Sequence, residues 1–359
     1  MSRLMEFDPA DRKLRLREVP EPTPPAGGLT ARITMGGVCG TDAHRLAGDL
    51  PSPPGPISLG HEAVGTVLEL GDSTTTDSAG QPLAVGDRVL WYPPAACGRC
   101  RACTVQRGYA FCANTDWPIP VERAGSAGFQ DVATLTSQVA VFLIPDEVPD
   151  AAAAAFGCAL PTVLGGFDRI EPVEAGGSVV VLGSGPVGLA ATLALGRTDL
   201  DRLIVVGTGA ERLDTARRFG ATDVLDLAET SVEGRRALVM EHTGGRGADL
   251  VVEAAGVAAA ISDGLDLLGP GGTLLVLGLY SGAGVVPVDI VRLNNLHQRI
   301  VGSIGSHAGH VYRGLELVTR VQPTMGIDRL VTGRYPLDQL EEAIRASAAG
   351  EVVKAVVTP

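Results

Sequence analysis

Val179-Val180-Val181-Leu182-Gly183-Ser184-Gly185-Pro186-Val187-Gly188 decides the fold. Four apolar residues, three of them β-branched, suit a fully buried strand, and a Gly-x-Gly-x-x-Gly pattern follows at once. Residues 187–195 are apolar and alanine-containing, and they read as a helix. Each glycine has a task in a strand–turn–helix of this kind. Gly183 permits the tight turn, Gly185 lets a pyrophosphate approach the backbone, and Gly188 lets the helix pack on the sheet. Pro186 and Val187 open the helix, whose free N–H groups and positive dipole end favour phosphate. A simple glycine-rich turn is the plainer alternative, and the surrounding pattern argues against it.

Outward from this stretch, strands are expected at 178–182, 202–206, 224–225, 250–253 and 273–279. Helices are expected between them at 187–195, 210–219 and 258–268. That alternation is the mark of a doubly wound parallel sheet. Upstream, residues 14–148 are rich in Pro and Gly, with short β-branched runs at 29–34, 63–70, 87–92 and 132–143, as in an irregular β domain. Residues 72–85 form a polar loop, read as surface decoration. An alanine-rich helix opens at 150–155, and the chain ends in a strand within 351–358. The expectation is an α/β chain in which a Rossmann-type sheet is inserted into a mainly β catalytic domain built from both chain ends. The boundaries fall at 1–155, 156–300 and 301–359.

A length of 359 residues with 45% apolar content suits two domains with separate cores. The net charge of -12 disfavours nucleic acid and anionic membranes as partners. The opening MSRLMEFDPADRK lacks the apolar core of a signal peptide, and the weakly polar stretch 175–196 is broken by Gly and Pro. A cytoplasmic protein is expected, its six cysteines reduced or bound to metal.

Four of those cysteines form one cluster. Cys97, Cys100 and Cys103 stand at two-residue gaps, and Cys112 follows after eight intervening residues. Four thiolates on one loop can close a tetrahedron around zinc with no open position, a structural site whose binding energy folds the loop. An iron–sulfur cluster is the rival, but no Pro follows Cys112 and there is no second cluster.

A second constellation lies upstream in Gly37-Val38-Cys39-Gly40-Thr41-Asp42-Ala43-His44, answered by Gly60-His61-Glu62. Cys39 and His61 have the chemistry of zinc ligands, with Asp42 and Glu62 placed to orient or tune them. Thr41 and His44 can pass a proton from bound substrate to water. A buried Cys with two unrelated His is the alternative. In the nucleotide half, an acid normally meets the adenosine ribose about 20 residues beyond the glycines. Gly207 stands there instead, removing the carboxylate that would repel a 2′-phosphate, while Thr208 and Arg212 can bind one. This favours NADP slightly over NAD, although Arg212 is equally readable as a solvated helix residue.

Taken together, these pieces resemble the zinc-dependent medium-chain dehydrogenase/reductases, the alcohol dehydrogenase superfamily, over essentially the whole chain. The resemblance implies a GroES-like catalytic domain and a catalytic zinc held by Cys39, His61 and Cys158. Cys158 lies in Phe156-Gly157-Cys158-Ala159-Leu160-Pro161-Thr162, where related polyol dehydrogenases often carry Glu. Every cysteine then has a role. The resemblance also implies that Glu62 sits behind the metal and that Asp42 hydrogen-bonds His61. Thr41 would relay the substrate proton through the cofactor ribose to His44. Thr162 and Val187 would press the nicotinamide towards the zinc, and Lys354 would meet the pyrophosphate. Three departures stand out: Gly40 where some members have an arginine, one extra residue before Cys112, and Gly207. The implied activity is reversible hydride transfer between an alcohol, a secondary one in particular, and a nicotinamide cofactor, giving a ketone or aldehyde. A zinc-independent quinone or enoyl reductase and a non-catalytic dinucleotide-binding protein are the alternatives. The partner is a small-molecule alcohol or carbonyl, the assembly a homodimer or homotetramer. Trp91 and Trp117 are candidate pocket walls, with a core or surface position the more ordinary reading.

Overall fold

The computed structural model describes residues 1–92, 96–106, 109–115, 119–120, 125–278 and 284–359. Trp117 and the last residue of the strand expected at 273–279 lie outside the described residues. By its contacts the chain divides into two units, Met1–Pro161 with Ser306–Pro359, and Thr162–Gly305.

The chain begins with β1 (Ser2–Asp8), β2 (Lys13–Val19), β3 (Leu29–Gly37), α1 (Gly40–Ala47), β4 (Ile57–Ser58), β5 (Ala63–Leu70) and β6 (Arg88–Tyr92). It continues through α2 (Arg101–Thr104), β7 (Ile119–Pro120), β8 (Val132–Leu135), β9 (Ala140–Leu143), α3 (Asp150–Ala155) and α4 (Ala159–Phe167). Strict alternation follows: β10 (Gly177–Leu182), α5 (Pro186–Leu195), β11 (Leu200–Gly207), α6 (Ala210–Arg218), β12 (Asp223–Asp226), α7 (Val232–His242), β13 (Ala248–Glu253), α8 (Ala258–Leu267) and β14 (Leu268–Val276). The remainder is α9 (Ile290–Asn295), β15 (Arg299–Gly302), α10 (Ala308–Met325), β16 (Val331–Pro336), α11 (Leu340–Ala348) and β17 (Lys354–Thr358).

In the first unit, two sheets carry the β architecture. One runs β2-β1-β4-β7; the other runs β16-β17-β3-β5-β6-β9, with β8 also paired to β3. Strand β17, from the far end of the chain, lies antiparallel to β3. That pairing makes one domain of both chain ends. The expected strand at 132–143 is two strands, because Thr136-Ser137-Gln138-Val139 closes a turn with Val139 N–H donating to Thr136 O at 2.9 Å. One arm then joins β3 and the other β6. Trp91 is a core residue, fully buried with Nε1 donating to Ser126 O.

The second unit holds a six-stranded parallel sheet in the order β12-β11-β10-β13-β14-β15. This is the Rossmann order, and its reversal point lies between β10 and β13. Val179, Val180, Val181 and Leu182 are all buried, as a strand covered on both faces requires. Together the units make a mixed α/β protein, a Rossmann sheet plus a mainly β domain. The sequence reading had no helix at α7 or α10. In α10 the buried Val311, Leu315, Val318 and Val321 keep a helical period, but charged residues between them mask the apolar stripe. Among the described residues, no helix is long and apolar enough to cross a membrane.

Candidate metal and dinucleotide sites

In the first unit the residues expected to hold metal converge in two groups. One ligand atom from each of Cys39, His61, Glu62 and Cys158 lies within 4.8 Å of the other three, and the same holds for Cys97, Cys100, Cys103 and Cys112. Zinc–sulfur bonds of about 2.3 Å in a tetrahedron put sulfurs about 3.8 Å apart, so both groups have room for one ion.

The first group is assembled from distant turns. Cys39 follows β3 and precedes the first turn of α1, where its N–H donates to Asp42 Oδ2 at 2.9 Å. Thr41, in the same turn, places its hydroxyl 3.8 Å from Cys39 Sγ. His61 and Glu62 stand just ahead of β5, and Cys158 lies between α3 and α4, in the same unit as Cys39 and His61. Asp42 Oδ1 is 3.9 Å from His61 Nδ1, an ion-pair separation too long for a hydrogen bond. Towards the other end of α1, His44 Nδ1 lies 3.0 Å from Asp49 Oδ2.

Burial sets the electrostatics. Glu62 is 1% exposed and Lys354 2%, and Lys354 Nζ donates to both Glu62 Oε2 and Val38 O. Desolvation pushes the Glu62 carboxyl up to about 7 against the pull of Lys354. Lys354 itself is raised: burial opposes its charge, but Glu62 and the Cys39 thiolate outweigh that cost. The hydrogen bond between the two thiols lowers Cys39 and raises Cys158, leaving the negative charge on Cys39. His61 is pushed up to about 9, because Cys39, Asp42 and Glu62 overcome its desolvation. Two thiols, an imidazole and a carboxylate suit zinc.

Two contacts of this group have no signal in the sequence, and Lys354, expected at the cofactor pyrophosphate, is instead buried against Glu62. The Glu62–Lys354 pair joins residues 292 apart in the chain. Tyr92, at the end of β6, donates its hydroxyl to Ser306 O at 2.8 Å, and burial raises its pKa.

The second group is local. Cys100 precedes the short helix α2 and Cys103 lies within it. Cys100 Sγ is 3.5 Å from Cys103 Sγ and 3.9 Å from Cys112 Sγ. Cys97 N–H donates to Cys112 Sγ at 3.3 Å, and Asn114 Nδ2 donates to Cys97 Sγ at 3.4 Å. The Asn114 amide, aided by the N–H groups of Arg99 and Cys100, lowers Cys97 to about 6. A thiol that ionises below neutrality is ready to bind metal.

In the second unit the glycine pattern occupies the turn from β10 into α5. Gly183 has φ 114°, a conformation glycine tolerates, and a Cβ on Gly188 would fall 1.9 Å from Gly183 O. Nothing lies within 4 Å of a Cβ built on Gly185, and Pro186 is the first residue of α5. Val187 follows it, and Thr162 is half-buried in α4. Gly207 ends β11, Thr208 is exposed, and Arg212 is half-buried in the first turn of α6. At the carboxyl end of β13, fully buried Glu253 accepts N–H groups from Ala255 and Gly256.

Comparison with known proteins agrees with this construction. The family described as "Alcohol dehydrogenase GroES-like domain" matches residues 25–146, and "Glucose dehydrogenase C-terminus" matches residues 171–358. The chain is 39% identical over 340 residues to 5-exo-hydroxycamphor dehydrogenase from Pseudomonas putida, covering 95% of this chain and 94% of that protein. Among solved structures it is similar to an alcohol dehydrogenase from Thermotoga maritima, with TM-score 0.91 and 28% identity over 100% of this chain and 99% of the other. It is also similar to a Sinorhizobium meliloti 1021 protein solved bound to NADP, with TM-score 0.82 and 28% identity over 100% and 99%. The chain therefore belongs to the zinc-dependent medium-chain alcohol dehydrogenase superfamily. It is a zinc-containing, NAD(P)-dependent dehydrogenase of that family.

Proposed function

We propose that this protein oxidises an alicyclic secondary alcohol to its ketone, reversibly, with a nicotinamide cofactor as hydride acceptor. The observation that carries this reading is the convergence of Cys39, His61, Glu62 and Cys158 on one point. Such a set has no use in a zinc-independent reductase or a simple nucleotide-binding protein. Bound by Cys39, His61 and Cys158, zinc supplies a Lewis acid that stabilises negative charge on the alcohol oxygen.

The chain's own residues do the rest. Asp42 holds the Cys39 backbone by a hydrogen bond and faces His61 at ion-pair distance. Glu62, braced by Lys354, backs the metal with a carboxylate held in place by an ion pair. The Thr41 hydroxyl, beside the Cys39 sulfur, takes the proton that the substrate hydroxyl gives up and passes it towards His44 and solvent. Gly183, Gly185, Pro186, Val187 and Gly188 cradle the pyrophosphate at the start of α5. Thr208 and Arg212, with no acid at Gly207, favour the 2′-phosphate of NADP. The structural relative with NADP bound supports that choice. The Pseudomonas putida relative's name supports a cyclic secondary substrate. A homodimer or homotetramer is the expected assembly, measurable by sedimentation.

A panel of primary, acyclic secondary and cyclic secondary alcohols, run with NAD and with NADP, tests the proposal. Turnover should be highest on cyclic secondary alcohols with NADP, and a zinc chelator should abolish it. Turnover that survives complete zinc removal would overturn the mechanism.

A further inference from the structure

The end of β11 carries a steric fact that the sequence pattern does not show. A Cβ built on Gly207 would lie 2.4 Å from both Cβ and Oγ of Ser184, and 3.0 Å from its backbone nitrogen. Ser184 is the residue between the first two glycines of the β10–α5 turn, and it is 4% exposed. Its position is held by two hydrogen bonds. Oγ donates to Thr208 O at 2.8 Å and accepts from Thr208 N–H at 3.0 Å. The hydroxyl thus ties the β10–α5 turn to the residue just past the end of β11. Gly207 is itself paired with Asp226 of β12, so the strand end is fixed on its other side.

We propose that Ser184 is a specificity-determining residue of the cofactor site. Its side chain fills the space that any residue but glycine at 207 would need. The carboxylate that would meet an unphosphorylated ribose, and repel a 2′-phosphate, is excluded from this turn by its neighbour. Positions 184 and 207 therefore act as one unit, and an acid cannot be restored at 207 alone. This rests on the cofactor reading above and deepens it, since it names the contact that keeps the ribose pocket free of an acid.

The test compares the wild type, Gly207→Asp, Ser184→Gly and the double variant. Two readouts are taken: the unfolding midpoint of each protein without cofactor, and dissociation constants for NAD and NADP. Gly207→Asp alone should lower the midpoint by several degrees and weaken both cofactors alike, because the displaced turn serves both. The double variant should regain the midpoint of Ser184→Gly and shift the NAD-to-NADP affinity ratio towards NAD by about 10- to 100-fold, the worth of one charged hydrogen bond. Strongly non-additive midpoints are the signature of contact between the two positions. If Gly207→Asp alone changes the ratio with no loss of stability, or if the midpoint losses add, Ser184 does not exclude the acid and the proposal is overturned. A wild type that binds NAD more tightly than NADP would overturn the cofactor choice instead. The coupling, read on the unliganded protein, would separate the two failures.

Discussion

The two metal-binding groups of the first unit solve different problems with the same element of chemistry. The Cys97–Cys112 group uses four like donors from one loop, ordered by hydrogen bonds among neighbours and to Asn114. The Cys39–Cys158 group uses three kinds of donor from separate parts of the fold, and an ion pair closes it at the back. A closed ring of thiolates leaves an ion nothing to do but hold the loop. A mixed set in which Lys354 holds the Glu62 carboxylate can leave one position for a substrate. The first group should therefore govern stability and the second turnover.

Removing Cys39 gives the sharpest separation. Cys39→Ser should lower turnover by about 1,000-fold or more, the scale of the lost Lewis acid, while one of two zinc equivalents remains and the fold persists. Metal analysis beside steady-state kinetics reads both outcomes. Cys103→Ser should do the converse. It should release the other equivalent and cost about 4 kcal/mol of stability, as loss of a structural metal does, with turnover at low temperature little changed. Thermal unfolding and residual activity decide it, and equal loss of turnover in both variants would erase the contrast.

The ion pair at the back of the catalytic group is the next test. Lys354→Met strands the Glu62 carboxylate in a site where both side chains are almost wholly buried, and should cost about 3 kcal/mol. Adding Glu62→Gln should return most of that loss, since removing both charges leaves no uncompensated ion. Denaturant unfolding of the single and double variants measures the difference. The smallest expected effect lies in the loop. Cys97 ionises at about 6 because Asn114 donates to its sulfur, so Asn114→Ala should raise that value. A thiol binds zinc above its pKa, so acidification should then release the loop's zinc at a higher pH than in the wild type. A chromogenic zinc indicator during acid titration would detect the shift, and an unchanged release curve would deny Asn114 that role.

The doubly wound sheet and its glycine turn were legible because their determinants are local. A buried parallel strand needs an unbroken apolar run, and a phosphate turn needs glycine at set intervals; both are visible within ten residues. The four-thiol loop was legible for the same reason. Helix α10 was not, since its apolar positions are diluted by charges that only a docked neighbour sorts into an inner and an outer face. The 132–143 run hid a turn that only the separate pairings of β8 and β9 reveal.

Sequence alone therefore determined the chemical types present: two thiols and an imidazole fit for zinc, four thiols on one loop, and a glycine pattern for a dinucleotide. Tertiary structure decided which of these groups meet. It set Lys354 against Glu62 across 292 residues and brought Cys158 to Cys39 and His61. It also put Ser184 in the space a side chain at 207 would take. The physical reason is the range of the interactions. Hydrogen bonds within a turn and apolar periodicity act between near neighbours in the chain. Burial, ion pairing and steric exclusion act between neighbours in space, and folding alone chooses those.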